Sequence, residues 1–346
     1  MGLHKTVCFI ANKMRYKMEI IRGLHNLSPQ KQACVATIGN FDGVHSGHQH
    51  ILAQLAQKAT EALVPSLVII FEPQPQEFFV PQRAPARLTR FRDKAEVIAD
   101  CGIDKLLVIH FNSAFSQLSA DDFVQQILVD KLRICYLQVG DDFQFGKERQ
   151  GNFSLLQERG KQLGFEVEST PTFAIADKRV SSTRIRQALM AGDMELTRQL
   201  LKRPYWMSGH VQHGAKLGRT IGFPTANIPL HRETPAVSGV FAVRLWGKDL
   251  GICKDSLVQD SNNTDLLDDK QGIDGIANIG YRPTVDGKKG LLEVHLFNFS
   301  GDLYGNLVHV DFLHKIRNEM KFSSFELLKE QIKNDVIMAK AYFDRP

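Results

Sequence analysis

Residues 38–50 read IGNFDGVHSGHQH, and the reading of this stretch decides the fold of the first half of the chain. A short apolar run, residues 34–38 (CVATI), precedes it and reads as a buried strand. Residues 51–63 follow, with Ile51, Leu52, Leu55, Ala56, Ala59 and Leu63 spaced for one helical face. Between strand and helix sit Gly39, Gly43 and Gly47 with His45, His48 and His50. Glycines at a strand-to-helix turn let backbone N–H groups approach an anion, and the helix N-terminus adds a positive dipole end. His45 and His48 are three apart, so a helix beginning near Ser46 lets both rings reach one spot above it. That pattern points to a phosphate-bearing substrate. Zinc held by the three histidines with Asp42 is the competing reading. It ranks below phosphate, because a zinc site gives the glycines no task.

His45-Ser46-Gly47-His48 resembles the H-x-G-H signature of the nucleotidyltransferase superfamily, and Gly39, Phe41, Asp42 and Gly43 complete the usual lead-in.

The chain has 346 residues, enough for two domains, and its 43% hydrophobic and 23% charged residues are ordinary for a globular protein. A net charge of +5 suits anionic substrates such as nucleotides. No block of five basic residues occurs, which argues against a nucleic-acid-binding tail. Five scattered cysteines, none in a C-x-x-C pair, argue against a disulfide framework or structural zinc and for a reducing cytoplasm. No apolar stretch approaches the roughly 20 residues that span a bilayer, so no membrane association is expected. Residues 1–17 are basic and aperiodic and read as a dispensable extension before a first strand at residues 18–22.

Strands are predicted at 66–71, 105–110, 134–139 and 165–169, and helices at 89–101, after a capping box at Ser119, and near 154–163. The prolines of FEPQPQEF (71–78) predict a rigid loop without regular structure. Ser182 or Thr183 is expected to cap a helix carrying Ile185, Ala188 and Leu189, and a further helix is expected at 191–201. Alternating strand and helix means a doubly wound parallel sheet with ligands at the strand C-termini. The glycine loop, the proline loop and GDDFQFG (140–146) are then expected to converge on one crevice. Arg179, Arg184 and Arg186 near the capped helix suit an anion.

GxFDGxHxGH, FEPQP, GDDFxFG and SSTRIR, in this order, resemble the FAD synthetase module of bacterial bifunctional flavin enzymes. The resemblance implies that His45 and His48 contact ATP phosphates and that Asp142 lies beside the substrate. It also implies that Arg179, Ser182, Thr183 and Arg186 hold the phosphates, with Mg²⁺ on them. FMN would then attack the α-phosphorus of ATP, giving FAD and pyrophosphate.

From residue 205 helical periodicity gives way to short alternating runs at 206–211, 240–246, 291–299 and 307–313, which predict a small closed antiparallel barrel. Residues 325–343 read as a C-terminal amphipathic helix. Two patterns imply two domains, 18–203 and 204–346. Gly214, Gly218, Arg219 and Thr220 only superficially resemble a P-loop, being one residue short and lacking the lysine. Thr225 and Asn227 lie two apart on an extended segment and offer neutral oxygens suited to Mg²⁺, a ligand-free turn being the alternative.

GxxxGRxxGFPTAN with Gly214, Gly218 and Gly222, then GIANIGYRPT, LEVHL and LYG, resembles riboflavin kinase. That resemblance implies Mg-ATP at Thr225 and Asn227, with Glu293 taking the proton from the flavin 5′-hydroxyl. Arg317 is a further candidate, with a surface role as the alternative. Residues 248–272, acidic and polar, read as a surface insertion.

The leading expectation is an enzyme that converts riboflavin to FMN and FMN to FAD, with ATP as co-substrate and no nucleic-acid partner. One alternative is a nucleotidyltransferase for another phosphorylated acceptor, its β domain only binding flavin. The other is a flavin- or nucleic-acid-binding regulator without turnover.

Overall fold

The structure, a computed structural model, describes residues 18–28, 32–170, 173–214, 222–230, 234–247, 250, 272–284 and 287–345. The basic extension at 1–17, Gly218 and nearly all of the insertion at 248–272 lie outside the described residues. The chain forms two compact units, each built from several segments.

The first unit comprises Met1–Gly39, Leu55–Glu72 and Gly102–Glu168. It holds β1 (Glu19–Arg22), β2 (Cys34–Ile38), β3 (Ser66–Glu72), β4 (Lys105–His110), β5 (Ile134–Val139) and β6 (Glu166–Ser169). Their order in the sheet is β1-β4-β3-β2-β5-β6, and the pairs from β1 to β5 are parallel. All five residues of β2 are buried, as a strand covered on both faces requires. The chain winds from β2 outward on both sides, so the strand order reverses between β2 and β5. That doubly wound order is the expected one. Ser119 caps the short helix Ala120–Asp122 by accepting from Asp122 N–H at 3.0 Å. The chain then passes directly into a π-helical stretch, Phe123–Lys131, which buries Phe123, Val124, Ile127 and Leu128. These residues pack with Ile38, Leu67, Ile69, Leu107 and Leu137 in one core.

The second unit comprises Asn40–Gln54, Pro73–Cys101 and Ser169–Pro346. Its six-stranded sheet has the order β10-β13-β12-β11-β14-β9. The strands are β9 (Tyr205–His210), β10 (Ala226–Pro229), β11 (Gly239–Trp246), β12 (Ile273–Thr284), β13 (Gly287–Leu296) and β14 (Leu307–Arg317). A two-stranded hairpin, β7 (Ala174–Ile175) and β8 (Lys178–Arg179), precedes them. Every pair in the sheet is antiparallel. The sheet curls until its two end strands meet: Gln212 N–H, just past β9, donates to Asn227 O of β10 at 2.8 Å. Period-2 alternation separates the faces. Phe241, Val243, Leu245, Leu292 and Val294 enter the main core, while Val240, Ala242 and Ile276 pack under Val336 and Ala339 of the C-terminal helix Phe325–Phe343.

Several local expectations are corrected. Leu63 lies beyond the helix α1 (Ser46–Ala62), at φ 54° and 87% exposed, so it is not part of the apolar face. The proline-rich segment is not irregular throughout, because Pro75 opens a short helix, α2 (Pro75–Phe79). The first helical position is where proline, lacking N–H, is tolerated. The helix expected at 191–201 is interrupted: α7 (Ser182–Ala191) ends at Gly192, φ 77°, and Asp193 caps a separate helix, Met194–Leu201. Ser181, not Ser182 or Thr183, caps α7, accepting from Arg184 N–H at 3.2 Å.

Candidate active sites

The first candidate site is the turn ahead of α1. Phe41, Gly43 and Val44 take φ values of 47°, 85° and 40°. For β-branched Val44 that is a strained conformation, of the kind that persists only where surroundings enforce it. They do so here. Val44 O accepts from Gln49 Nε2 at 2.9 Å, Gly43 O from Arg203 Nη2 at 2.9 Å, and Gly43 N–H donates to Thr89 Oγ1 at 3.0 Å.

The strained turn brings His45 and His48 face to face, with ring centroids 3.6 Å apart and planes 12° from parallel. Phe41 flanks the pair, 4.9 Å from His48. Gly47 makes room, since a Cβ there would lie 3.3 Å from His45 Nδ1. Burial pushes His45 down to about 4, with Asp42 opposing and Arg179 adding to the fall. Burial also lowers His48 well below the usual range, helped by His45 and Lys94. Both rings are therefore neutral near pH 7. His45 Nδ1 accepts from His48 N–H at 3.2 Å, which puts the ring proton on Nε2 as a donor. Ser46 Oγ and His48 Nδ1 are buried with no hydrogen-bond partner among the described residues. A bound phosphate would satisfy such groups at a helix N-terminus.

Asp42 faces inward. Its carboxylate accepts from Leu88 N–H (3.0 Å), Thr89 N–H (3.1 Å) and Arg186 Nη2 (2.5 Å). It therefore braces the turn and is not available as a zinc ligand. Among the described residues no group of three His, Cys, Asp or Glu side chains is disposed to hold a metal ion. Arg186 also donates from Nε to Ala86 O (2.6 Å), and Ser182 Oγ donates to Asp42 O (2.9 Å). Arg184 serves Ile175 O and Lys178 O. Arg179 and Thr183 are exposed. The Ser-Thr-Arg cluster thus divides into internal braces and an outward cation, which spacing alone did not distinguish.

In the first unit, Gly39 N–H extends β2 by donating to Ile69 O (3.1 Å). Asp142 follows β5 in a turn closed by Phe143 N–H to Gly140 O (3.0 Å), and a Cβ on Gly140 would lie 2.7 Å from its Oδ1. The exposed Asp142 therefore depends on that glycine.

The second candidate site is built by strand register. Asn227 of β10 pairs with Glu293 of β13, and Glu293 pairs with Asn278 of β12. Paired residues share a face, so the row Asn227–Glu293–Asn278 presents two carboxamides flanking one carboxylate. Asn278 was not singled out from sequence; its signal is strand alternation combined with pairing, which one strand's sequence does not contain. Asn227 is 7% exposed, and its Nδ2 donates to Thr225 O (3.2 Å). Gly214 is packed against it: a Cβ there would lie 2.4 Å from Asn227 Nδ2. Gly222 takes φ 88° at a turn before β10. A cavity of about 550 Å³ opens beside Pro224, Thr225, Ala226, Val294, Phe299 and Tyr304; Asn227 and Glu293 are not in its lining. Arg317 is neither surface nor a free cation. Its guanidinium grips Asp335 of the C-terminal helix with bonds of 2.8–3.0 Å.

Two family models match the chain, FAD synthetase over residues 27–184 and riboflavin kinase over residues 201–343. A nucleotidyltransferase turn and a kinase barrel in one polypeptide define a two-activity transferase. The curated "Bifunctional riboflavin kinase/FMN adenylyltransferase" of Haemophilus influenzae is 48% identical over 94% of this chain and 100% of its own length. That of Escherichia coli K12 is 46% identical over 94% and 98%. A crystal structure named as a macrolide-efflux protein from Streptococcus pneumoniae superposes with TM-score 0.73 at 26% identity, covering 93% of this chain and 99% of that one. Among the described residues of this chain no helix is long and apolar enough to cross a membrane. The chain belongs to the bifunctional riboflavin kinase/FMN adenylyltransferase family.

Proposed function

We propose the following division of labour for this riboflavin kinase and FMN adenylyltransferase: residues 18–203 carry adenylyl transfer and residues 204–346 carry phosphorylation. The stacked neutral pair His45–His48 on the braced turn is the observation that carries the first assignment. In that half-reaction a phosphate oxygen of FMN attacks the α-phosphorus of ATP, a new P–O–P bond forms, and pyrophosphate leaves. No covalent nucleophile is needed; positioning and charge stabilisation suffice. His45 Nε2–H and the first amides of α1 are donors for the triphosphate. Arg179 is an exposed cation, and Ser182, Thr183 and Arg186 shape the phosphate end with Phe41 and Asp42. Asp142 serves the substrate side of the same half-reaction.

In the kinase half-reaction the riboflavin 5′-oxygen attacks the γ-phosphorus, its proton passes to the Glu293 carboxylate, and ADP leaves. A base is effective only within hydrogen-bond reach of its proton, and strand register sets Glu293 between Asn227 and Asn278 on one face. Thr225 and Asn227 fit Mg²⁺, because the groups gathered around Asn227 are hard oxygen donors with no sulfur or imidazole in the row. The cation would neutralise charge on the phosphates of ATP there. Gly214, Gly218 and Gly222 bring backbone close to that nucleotide. Arg317 supports the site by tying β14 to the C-terminal helix. The free thiols of Cys34, Cys101 and Cys135 favour the cytoplasm.

Incubating the chain with riboflavin, ATP and Mg²⁺ and separating products by chromatography tests the reading. FMN should appear first and FAD after it; FMN without FAD, or neither product, would refute the two-step assignment.

A further inference from the structure

The barrel sheet ends at β9 and β10, and these two strands face one another where the barrel closes. Among the described residues one main-chain bond crosses this seam, from Gln212 N–H to Asn227 O at 2.8 Å. A second bridge comes from a residue far earlier in the chain. Arg90 donates from Nη1 to Ser208 O of β9 at 2.9 Å and from Nη2 to Pro229 O of β10 at 2.8 Å. The planar guanidinium offers donors in a fixed fork, so one side chain serves acceptors on both strands.

The seam is shaped for this fork. A Cβ on Gly209 would lie 2.6 Å from Ile228 Cγ2 and 3.5 Å from Arg90 Nη1, so glycine keeps the two strands and the guanidinium together. The root of Arg90 is fixed as well. The residues before it, Leu88 and Thr89, donate their N–H groups to Asp42. Arg90 O accepts from Lys94 N–H at 2.9 Å in the first turn of the helix Phe91–Asp100. The Tyr205 hydroxyl donates to Leu88 O at 3.1 Å, and the Ser208 hydroxyl donates to Asp93 Oδ1.

β10 is four residues long and pairs along one edge with β13. Its register against β13 sets Asn227 opposite Glu293. Its other edge is the seam that Arg90 spans. We infer that Arg90, from the adenylyltransferase half of the sequence, is a positioning residue for riboflavin phosphorylation: it closes the barrel seam and so fixes the strand bearing Asn227. This rests on the assignment of Thr225, Asn227 and Glu293 to the kinase site. Arg90 acts through the backbone of β9 and β10, so its loss acts on how Mg-ATP is held more than on the chemical step.

The test compares full-length Arg90→Ala, Arg90→Lys and Asn227→Ala, with riboflavin phosphorylation and adenylylation of supplied FMN assayed separately. Arg90→Ala should raise the kinase KM for Mg-ATP about tenfold, as loss of a supporting shell does. FMN adenylylation should keep its KM and kcat. Arg90→Lys should fall between, since an ammonium group replaces the two-pronged fork. Millimolar guanidinium should restore the KM of Arg90→Ala and leave that of Asn227→Ala unchanged. An unchanged KM for Mg-ATP in Arg90→Ala, with Asn227→Ala impaired, overturns the seam role alone. Parallel loss of both activities without guanidinium rescue overturns it too. Normal phosphorylation by Asn227→Ala overturns the site assignment on which the seam role depends.

Discussion

The turn around His45 and the strand row around Glu293 bring polar groups together by opposite means. The turn uses strained backbone: Phe41 and Val44 take positive φ on either side of Gly43, and Asp42, Thr89, Gln49 and Arg203 hold that shape. The row uses unstrained antiparallel register, in which Asn227, Glu293 and Asn278 face one another because three strands are aligned. Strain of this kind costs on the order of 1–3 kcal/mol per residue and survives only where the surroundings over-determine it. The turn therefore needs its braces, and the row needs its strand edges held. The chemistry follows the same division. In the proposed assignment, buried neutral histidines would supply donors for a phosphate, and a half-buried carboxylate would supply an acceptor for a proton.

The largest effect expected from this comparison is on the row. Glu293→Gln keeps the shape and the β13 register but removes the acceptor, so FMN formation should fall about 10³-fold, within the range for loss of a general base. FAD formation from supplied FMN should be unchanged. Kinase turnover within threefold of the parent in a coupled ADP assay would remove Glu293 from the chemistry.

The reciprocal change is His48→Ala. It deletes one ring of the stacked pair, and adenylyl transfer should fall about 10²-fold, the loss typical of one preorganised donor to a charged transition state. Riboflavin phosphorylation should hold, because the row depends on strand register. Measuring pyrophosphate release from FMN and ATP beside ADP release from riboflavin and ATP separates the two. Equal loss in both assays would mean that the turn supports the whole fold and not one half-reaction.

What the sequence made legible follows the same contrast. Strands buried on both faces were plain: β4 and β5 occupy the residues that their apolar runs predict, Lys105–His110 and Ile134–Val139. The change to alternating runs after residue 205 likewise announced an antiparallel barrel. The H-x-G-H spacing foretold two rings at one helix start, and they do stack there. What could not be read was the direction in which each polar group faces. Arg184 and Arg186 carry the same spacing signal as Arg179, and only the structure shows that both donate to protein oxygens. Arg317, a site candidate with a surface role as the alternative, pairs with Asp335 of the C-terminal helix, a partner its local sequence does not announce. Arg90 carried no local signal, because its acceptors on Ser208 and Pro229 lie more than a hundred residues away. Asn278 was hidden for the same reason: its place beside Glu293 is a property of pairing.

The smallest expected effect, and the sharpest test of the turn's electrostatics, is on stability against pH. His45 is held down to about 4 by burial, against 6.5 for an ordinary histidine, and His48 is lowered by the same cause. Between about 4 and 6.5 the unfolded chain therefore binds more protons at these positions than the folded chain does. The stabilisation is complete above about 6.5 and is lost as pH falls through that window. Each histidine can contribute up to about 1.4 kcal/mol per pH unit there. Urea unfolding at pH 7.5, 6.5 and 5.5 should show this fall, and a His45→Gln variant, with nothing to protonate at that position, should show a shallower one. Identical slopes for the two proteins would mean that His45 titrates normally when folded. A protonated ring would then be accessible below about pH 6.5, in place of the neutral donor that its buried ring and its bond from His48 N–H indicate.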